Sequence, residues 1–152
     1  MKLLLTEGCI CDSLVIDDKD AIDYSNNELR NIIKKILEIE EGKFNLIKLL
    51  EEVIKIFDCD YTDEITVKTY KYGLISTIEQ NGTDIIVVEG KDINDFTEDE
   101  IRDIIINIIS DNNDIANLIW VLRGFVQNFG EYKFCYHCDE CGDNVVEYKL
   151  KI

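Results

Sequence analysis

The sequence predicts an α+β fold: an internal duplication of a ββααβ unit forming one pseudo-twofold globule, with an antiparallel sheet and the helices on one face. Three observations lead there. Residues 12–37 recur, shifted by 72, as residues 84–109, with ten of the 26 positions identical, where this composition would give about two by chance. Both copies then carry a helix-start signature followed by apolar residues at helical spacing. Both open with short apolar runs flanking a tight turn, the mark of a hairpin. The register continues through Asn45/Asn117, Leu46/Leu118, Leu50/Leu122 and Phe57/Phe129.

In the first copy, residues 1–72, Lys2–Thr6 and Ser13–Asp17 read as two strands around the segment Glu7-Gly8-Cys9-Ile10-Cys11. Ser25-Asn26-Asn27-Glu28 is a capping box, in which hydroxyl and carboxylate each satisfy an N–H that the first helical turn leaves unpaired. Leu29, Ile32, Ile33, Ile36 and Leu37 follow at i, i+3, i+4, i+7 and i+8, one stripe of a helix. Gly42 breaks it. Leu46, Ile47, Leu49, Leu50, Val53, Ile54 and Phe57 mark a second helix, and Ile65–Tyr72 a closing strand.

In the second copy, residues 73–152, Leu74–Glu79 and Asp84–Glu89 form a hairpin turned by Asn81-Gly82. Thr97-Glu98-Asp99-Glu100 repeats the capping box. A fourth helix runs from about Asn113 to Phe129, with Leu118, Ile119, Leu122, Phe125, Val126 and Phe129 as its buried set. Trp120 departs from that stripe, as either a packing residue or a partner anchor. Val145–Ile152 closes the copy as a strand, after a knuckle inserted at residues 135–142. The total is about six strands and four helices. Each copy alone would bury little surface, so one compact domain sharing a core is expected.

The knuckle carries the sequence's chemistry. Cys138-Asp139-Glu140-Cys141-Gly142 resembles the knuckle of zinc ribbons, where a tight turn aims two thiolates at one metal and glycine takes a backbone conformation awkward for other residues. Cys9-Ile10-Cys11 is a compatible second pair, so Cys9, Cys11, Cys138 and Cys141 are the expected ligands of a structural Zn²⁺. Cys135 and His137 are the available substitutes. At the positions matching Cys9 and Cys11 the second copy has Asn81 and Thr83, and of the knuckle the first copy keeps only Cys59. Neither copy can build the site alone. The intact pairs stand at opposite ends of the chain, which predicts that the C-terminal strand lies beside the N-terminal hairpin and that the metal clasps the two.

The net charge is −16 over 152 residues. Between Asp84 and Asp114 ten carboxylates face only Lys91 and Arg102. Such a surface repels nucleic acid and anionic membrane and attracts a basic protein groove; on a small Ile-rich protein it also simply maintains solubility. The knuckle's own Asp139, Glu140 and Asp143 oppose direct phosphate binding. No apolar run approaches the roughly 20 residues that span a bilayer, and the chain's start lacks a signal-peptide pattern. A cytoplasmic protein whose cysteines are thiols or ligands is the expectation.

The single histidine, His137, is flanked by cysteines, which argues against a Ser-His-Asp triad and against a multi-histidine catalytic metal site. No phosphate-binding glycine loop or nucleophile elbow occurs. Asp58–Glu64 and Asp111–Asp114 lack the glycine and terminal glutamate of a calcium loop. The expected function is therefore a non-enzymatic acidic protein-binding module, monomeric or homodimeric, that occupies a basic, nucleic-acid-binding surface of its target. In a phage or mobile element its concrete form is an anti-defence inhibitor of the anti-CRISPR type. Asp92, Asp95, Glu98, Asp99, Glu100 and Asp103, around the start of the third helix, are the expected partner-binding residues. The alternatives are a zinc-stabilised structural or assembly protein, and a thiol oxidoreductase using Cys138 and Cys141.

Overall fold

The computed structural model describes residues 1–9, 12–56, 61–62, 67–68, 75–80, 83–110 and 114–152. It is an α+β protein. The chain begins with strands β1 (Lys2–Glu7), β2 (Ser13–Ile16) and β3 (Lys19–Asp20), a 3₁₀ turn at Ala21–Asp23, and helices α1 (Asn26–Ile39) and α2 (Lys43–Ile56). Strands β4 (Tyr61–Thr62), β5 (Val67–Lys68), β6 (Ile75–Gln80), β7 (Thr83–Val88) and β8 (Lys91–Asp92) follow, then a 3₁₀ turn at Ile93–Asp95. Helices α3 (Glu98–Ser110) and α4 (Ile115–Phe129) and strands β9 (Glu131–His137) and β10 (Asn144–Lys151) complete it.

The chain divides into two compact units: Met1–Ile39 with Asn113–Ile152, and Glu40–Asn112. Each unit takes residues from both sides of position 72/73, where the sequence reading divides the chain.

The first unit is built on a five-stranded antiparallel sheet in the order β3-β2-β1-β10-β9. Leu3 and Leu5 on β1 stand opposite Ile16 and Leu14 on β2, and Leu3 also stands opposite Leu150 on β10. Directly opposed residues of antiparallel strands share a face, so these five buried side chains line one side of the sheet. Helix α4 lies against α1, β1 and β10. It contributes Leu118, Val121, Leu122, Phe125 and Val126 to the core, while α1 contributes the whole stripe Leu29, Ile32, Ile33, Ile36 and Leu37. Burying each such side chain stabilises the fold by about 1.5–3 kcal/mol. The C-terminal strand does pair with the N-terminal hairpin, from Lys2 opposite Lys151 to Glu7 opposite Val146.

In the second unit α2 packs on α3, burying Leu46, Leu49, Leu50, Val53 and Ile54 against Ile101, Ile105, Ile108 and Ile109. Strands β6-β7-β8 form a three-stranded antiparallel ladder and β4-β5 a two-stranded one. The half-buried Arg102 donates to the Glu40 carbonyl at 2.7 Å and to Asp99 at 2.8 Å.

A hairpin, a two-residue strand, a 3₁₀ turn and a helix succeed one another twice, over residues 2–39 and 75–110. The details coincide. Asp20 caps its turn by accepting from the Ile22 N–H at 3.1 Å, and Asp92 accepts from the Asn94 N–H at 2.9 Å. Lys19 sits 4.4 Å over the Tyr24 ring and Lys91 4.5 Å over that of Phe96. Both capping boxes close: the Ser25 N–H donates to Glu28 and the Glu28 N–H back to the Ser25 hydroxyl, as do Thr97 and Glu100.

Three expectations need correction. Ten strands, not six, occur among the described residues: the additional four are β3 and β8, formed where a turn folds two residues back onto the hairpin, together with β4 and β9. Among the described residues the pairing is divided among three sheets rather than held in one. Cys135–His137, read as part of an inserted knuckle, belong to β9; only Cys138–Asp143 remains as the connection to β10. In α2 and α4, Ile47, Ile119 and Phe129 are half-buried, and Val121 takes a core place that the stripe missed. The Asn81-Gly82 turn, Phe57, Asn113 and most of Ile65–Tyr72 lie outside the described residues.

Candidate metal centre

The β1–β2 turn is shaped to reach the end of the C-terminal hairpin. Gly8 has φ +119°, and a Cβ there would stand 2.4 Å from the Asn144 carbonyl oxygen and 3.0 Å from Val145 Cα. Only glycine permits that approach. The next residue, Cys9, also takes a positive φ of 53°. The turn is fastened from both sides. The Gly8 N–H donates to the Asp12 carboxylate at 3.0 Å, and Arg123 of α4 pairs with Glu7 at 3.0 Å and with Asp12 at 3.8 Å. Gln127 adds a 2.6 Å hydrogen bond to Glu7.

Opposite this turn, β9 and β10 are joined by a closed loop. The Cys138 N–H donates to the Asp143 carbonyl at 2.8 Å and the Gly142 N–H to the Cys138 carbonyl at 2.9 Å. Gly142 has φ +77°, the left-handed conformation that such a turn requires. The loop carries Cys138 and Cys141 to Cys9.

The three sulfurs lie within 4.8 Å of one another, with Cys9 Sγ and Cys138 Sγ 3.5 Å apart. Zn–S bonds of about 2.3 Å in tetrahedral geometry separate thiolates by about 3.8 Å, so the cluster is close to ligand spacing. Cys9 and Cys138 are half-buried and Cys141 is exposed. The Cys138 thiol is lowered to about 7, chiefly by the backbone N–H of Cys141, then by the Cys141 and Cys9 side chains and the backbone N–H of Glu140. The loop thus prepares a thiolate before any metal arrives, and thiolate is the form that binds metal.

The expected ligands divide as follows. Cys9, Cys138 and Cys141 are brought together; Cys11 lies outside the described residues. Neither substitute is in the cluster. Cys135 donates to the Glu147 carboxylate at 3.1 Å, a bond that with burial pushes its thiol up, away from the thiolate form. His137 Nδ1 lies 2.9 Å from the Asn144 side-chain oxygen.

The acidic cluster is spread over the start of α3. Asp95, Asp99, Glu100 and Asp103 are exposed, whereas Asp92 and Glu98 are half-buried. Asp92 caps the 3₁₀ turn, Glu98 accepts from the Gly42 N–H, Asp99 pairs with Arg102, and Glu100 closes its capping box. Trp120 is 53% exposed with the Arg123 guanidinium 4.2 Å from its ring centre. Sequence reasoning missed Arg123, Glu7 and Asp12, the ion-pair group behind the turn. Its only signal was an unpatterned arginine on the polar side of an apolar helix.

The molecule is thus an α+β protein in which a hairpin turn and a knuckle loop from opposite ends of the chain converge three thiols on one point. No protein-family model, curated protein or solved structure matches it. No helix among the described residues is long and apolar enough to cross a membrane.

Proposed function

We propose that this chain is a non-enzymatic protein-binding module whose N- and C-terminal hairpins are clasped by one structural zinc ion. The observation that carries the reading is the convergence of Cys9, Cys138 and Cys141 from two separate turns. Cys11, two residues beyond Cys9 in sequence, supplies the fourth thiolate of the usual structural set. The matched turns, caps and cation–ring contacts support descent from a duplicated unit, in which each copy gave up part of the site.

The binding face is the acidic start of α3, and the partner is a protein with a basic, nucleic-acid-handling surface. An anti-defence inhibitor of the anti-CRISPR type is the form this takes in a phage or mobile element. The net charge of −16 supports it. Asp95, Asp99 and Asp103 are the carboxylates to test, since they are exposed and stand outside the helix caps. A pull-down from nuclease-treated lysate, at low and high salt, is the test. The reading expects capture of a basic nucleic-acid-binding protein, lost with added nucleic acid and with Asp95, Asp99 and Asp103 changed to lysine. Capture unaffected by both would reject it. A zinc-stabilised assembly role is the second reading, favoured by the use of Asp92, Glu98 and Glu100 in the chain's own caps and backbone hydrogen bonds.

A further inference from the structure

We infer that the thiol cluster is a redox-exchangeable clasp, in which a Cys9–Cys138 disulfide replaces the metal when the chain meets a small-molecule disulfide. The inference rests on the metal reading given above and adds its regulation. Most structural thiolate sites hold both cysteines of a pair in one turn. Here Cys9 Sγ and Cys138 Sγ, 3.5 Å apart, belong to different hairpins. A disulfide needs about 2.05 Å between sulfurs, so rotation of the two side chains has about 1.5 Å to close. Several bonds that hold each turn do not involve the sulfurs and can stay in place: Gly8 to Asp12, Glu7 to Arg123, and the Cys138 N–H to the Asp143 carbonyl.

The site is also reachable. Cys141 is exposed and Cys138 half-buried, in a loop flanked by the exposed residues Asp139, Glu140 and Asp143. The chemistry balances. The Cys138 thiolate attacks one sulfur of an oxidised low-molecular-weight disulfide, RSSR, forming a Cys138–SR mixed disulfide and releasing RS⁻. The Cys9 thiolate then attacks the Cys138 sulfur, forming the Cys9–Cys138 bond and releasing the second RS⁻. Two protein thiolates lose two electrons, RSSR gains two, and the dication, deprived of two ligands, leaves. Cys141 and Cys11, the two remaining ligands of the proposed set, end as thiols, each taking a proton from water. Cys135, held by Glu147 with its thiol pushed up, takes no part. Both states tie the same two hairpins, one by coordination and one covalently, so the exchange alters metal content while keeping the ends of the chain together.

The test uses the full chain loaded with zinc and treated with oxidised glutathione, with zinc release followed by a chromogenic chelator and linkage by peptide mass mapping. The expected result is one zinc released per chain, a 2 Da mass loss, a Cys9–Cys138 cross-link, an alkylatable Cys141, and full zinc rebinding after reduction. Cys9→Ser should stop at the glutathione adduct on Cys138, and Cys135→Ser should behave as the parent. A Cys138–Cys141 link, a glutathione adduct with no intramolecular link in the parent, or zinc retained throughout would each overturn the exchange. Failure to load zinc at all would instead reject the metal reading, a different result from zinc that loads and stays.

Discussion

Replacing Gly8 by alanine is expected to destabilise the protein by about 3 kcal/mol, more than any other single methyl placed on a positive-φ glycine here. The magnitude has three parts. A φ of +119° strains an L-residue by about 1–3 kcal/mol. The new Cβ would stand 2.4 Å from the Asn144 oxygen and 3.0 Å from Val145 Cα. Both are backbone atoms, so no side-chain rotation relieves the overlap, and forced displacement of packed backbone costs about 1–3 kcal/mol more. Restriction of the unfolded chain returns about 0.4–1 kcal/mol. For a chain of this length the sum lowers Tm by roughly 6–12 °C. Gly142→Ala is the comparison: its φ of +77° is strained, but nothing lies within 4 Å of the added carbon, so it should cost about 1–2 kcal/mol. Urea unfolding followed by circular dichroism measures both. Because the displacement separates Cys9 from Cys138, Gly8→Ala should also weaken zinc binding about tenfold for each 1.4 kcal/mol lost at the site. Equal stability of the two variants would refute the close approach of turn and knuckle.

Further outcomes follow from the same geometry. In the metal-free chain Cys138 should alkylate half-maximally near pH 7, its thiol being lowered to about 7, while Cys135, raised by Glu147, reacts at higher pH than Cys138; rates read by peptide mass that reversed this order would contradict the assignment. The same lowered thiol contributes stability above the unfolded cysteine pKa, which is lost as pH falls through about 7. Glu28 and Glu100 are held below the usual carboxylate range, first by backbone N–H groups of Ser25 and Thr97 and then by their hydroxyls. Their stabilisation is present above the unfolded carboxylate pKa and lost as pH falls through the lowered folded value. The double change Glu28→Gln and Glu100→Gln should therefore flatten the loss of helical signal that acid causes below the ordinary glutamate pKa of about 4.3, and an unchanged acid transition would speak against the caps. Tyr24→Phe removes a 2.7 Å bond to the Ile16 carbonyl and should cost about 0.5–1.5 kcal/mol in urea unfolding; no loss would mean that water replaces the hydroxyl fully.

Much of the fold was legible because its signals are local. The capping boxes at Ser25 and Thr97 lie at the observed helix starts, since the hydroxyl and carboxylate act within one turn. The stripe Leu29 to Leu37 is buried in full because one helix face meets one core. The pairing of β10 with β1 was legible for a different reason: the cysteine pairs were left at opposite ends, and chemistry required them to meet. Strand β9 was not. Its alternation of Tyr132, Phe134 and Tyr136 is a strand signal, but these aromatics are exposed on an edge strand, so no apolar face announced them. A register shift at Val145/Val146 further breaks the pattern around Cys135. That shift accounts for what the cysteine spacing left open: Cys135 meets Glu147 rather than the cluster. The compact units escaped sequence reading because similarity between two stretches of sequence does not say which helices pack together. Helix α1 packs with α4 and α2 with α3, and nothing within either repeat encodes that choice.

The most direct test of the clasp is metal content. The chain, reconstituted with zinc and dialysed free of excess, should hold one zinc ion by elemental analysis, retain it in Cys135→Ser, and lose it in Cys9→Ser and Cys138→Ser. A chain that holds no zinc, or one whose zinc depends on Cys135 as strongly as on Cys138, would contradict the account.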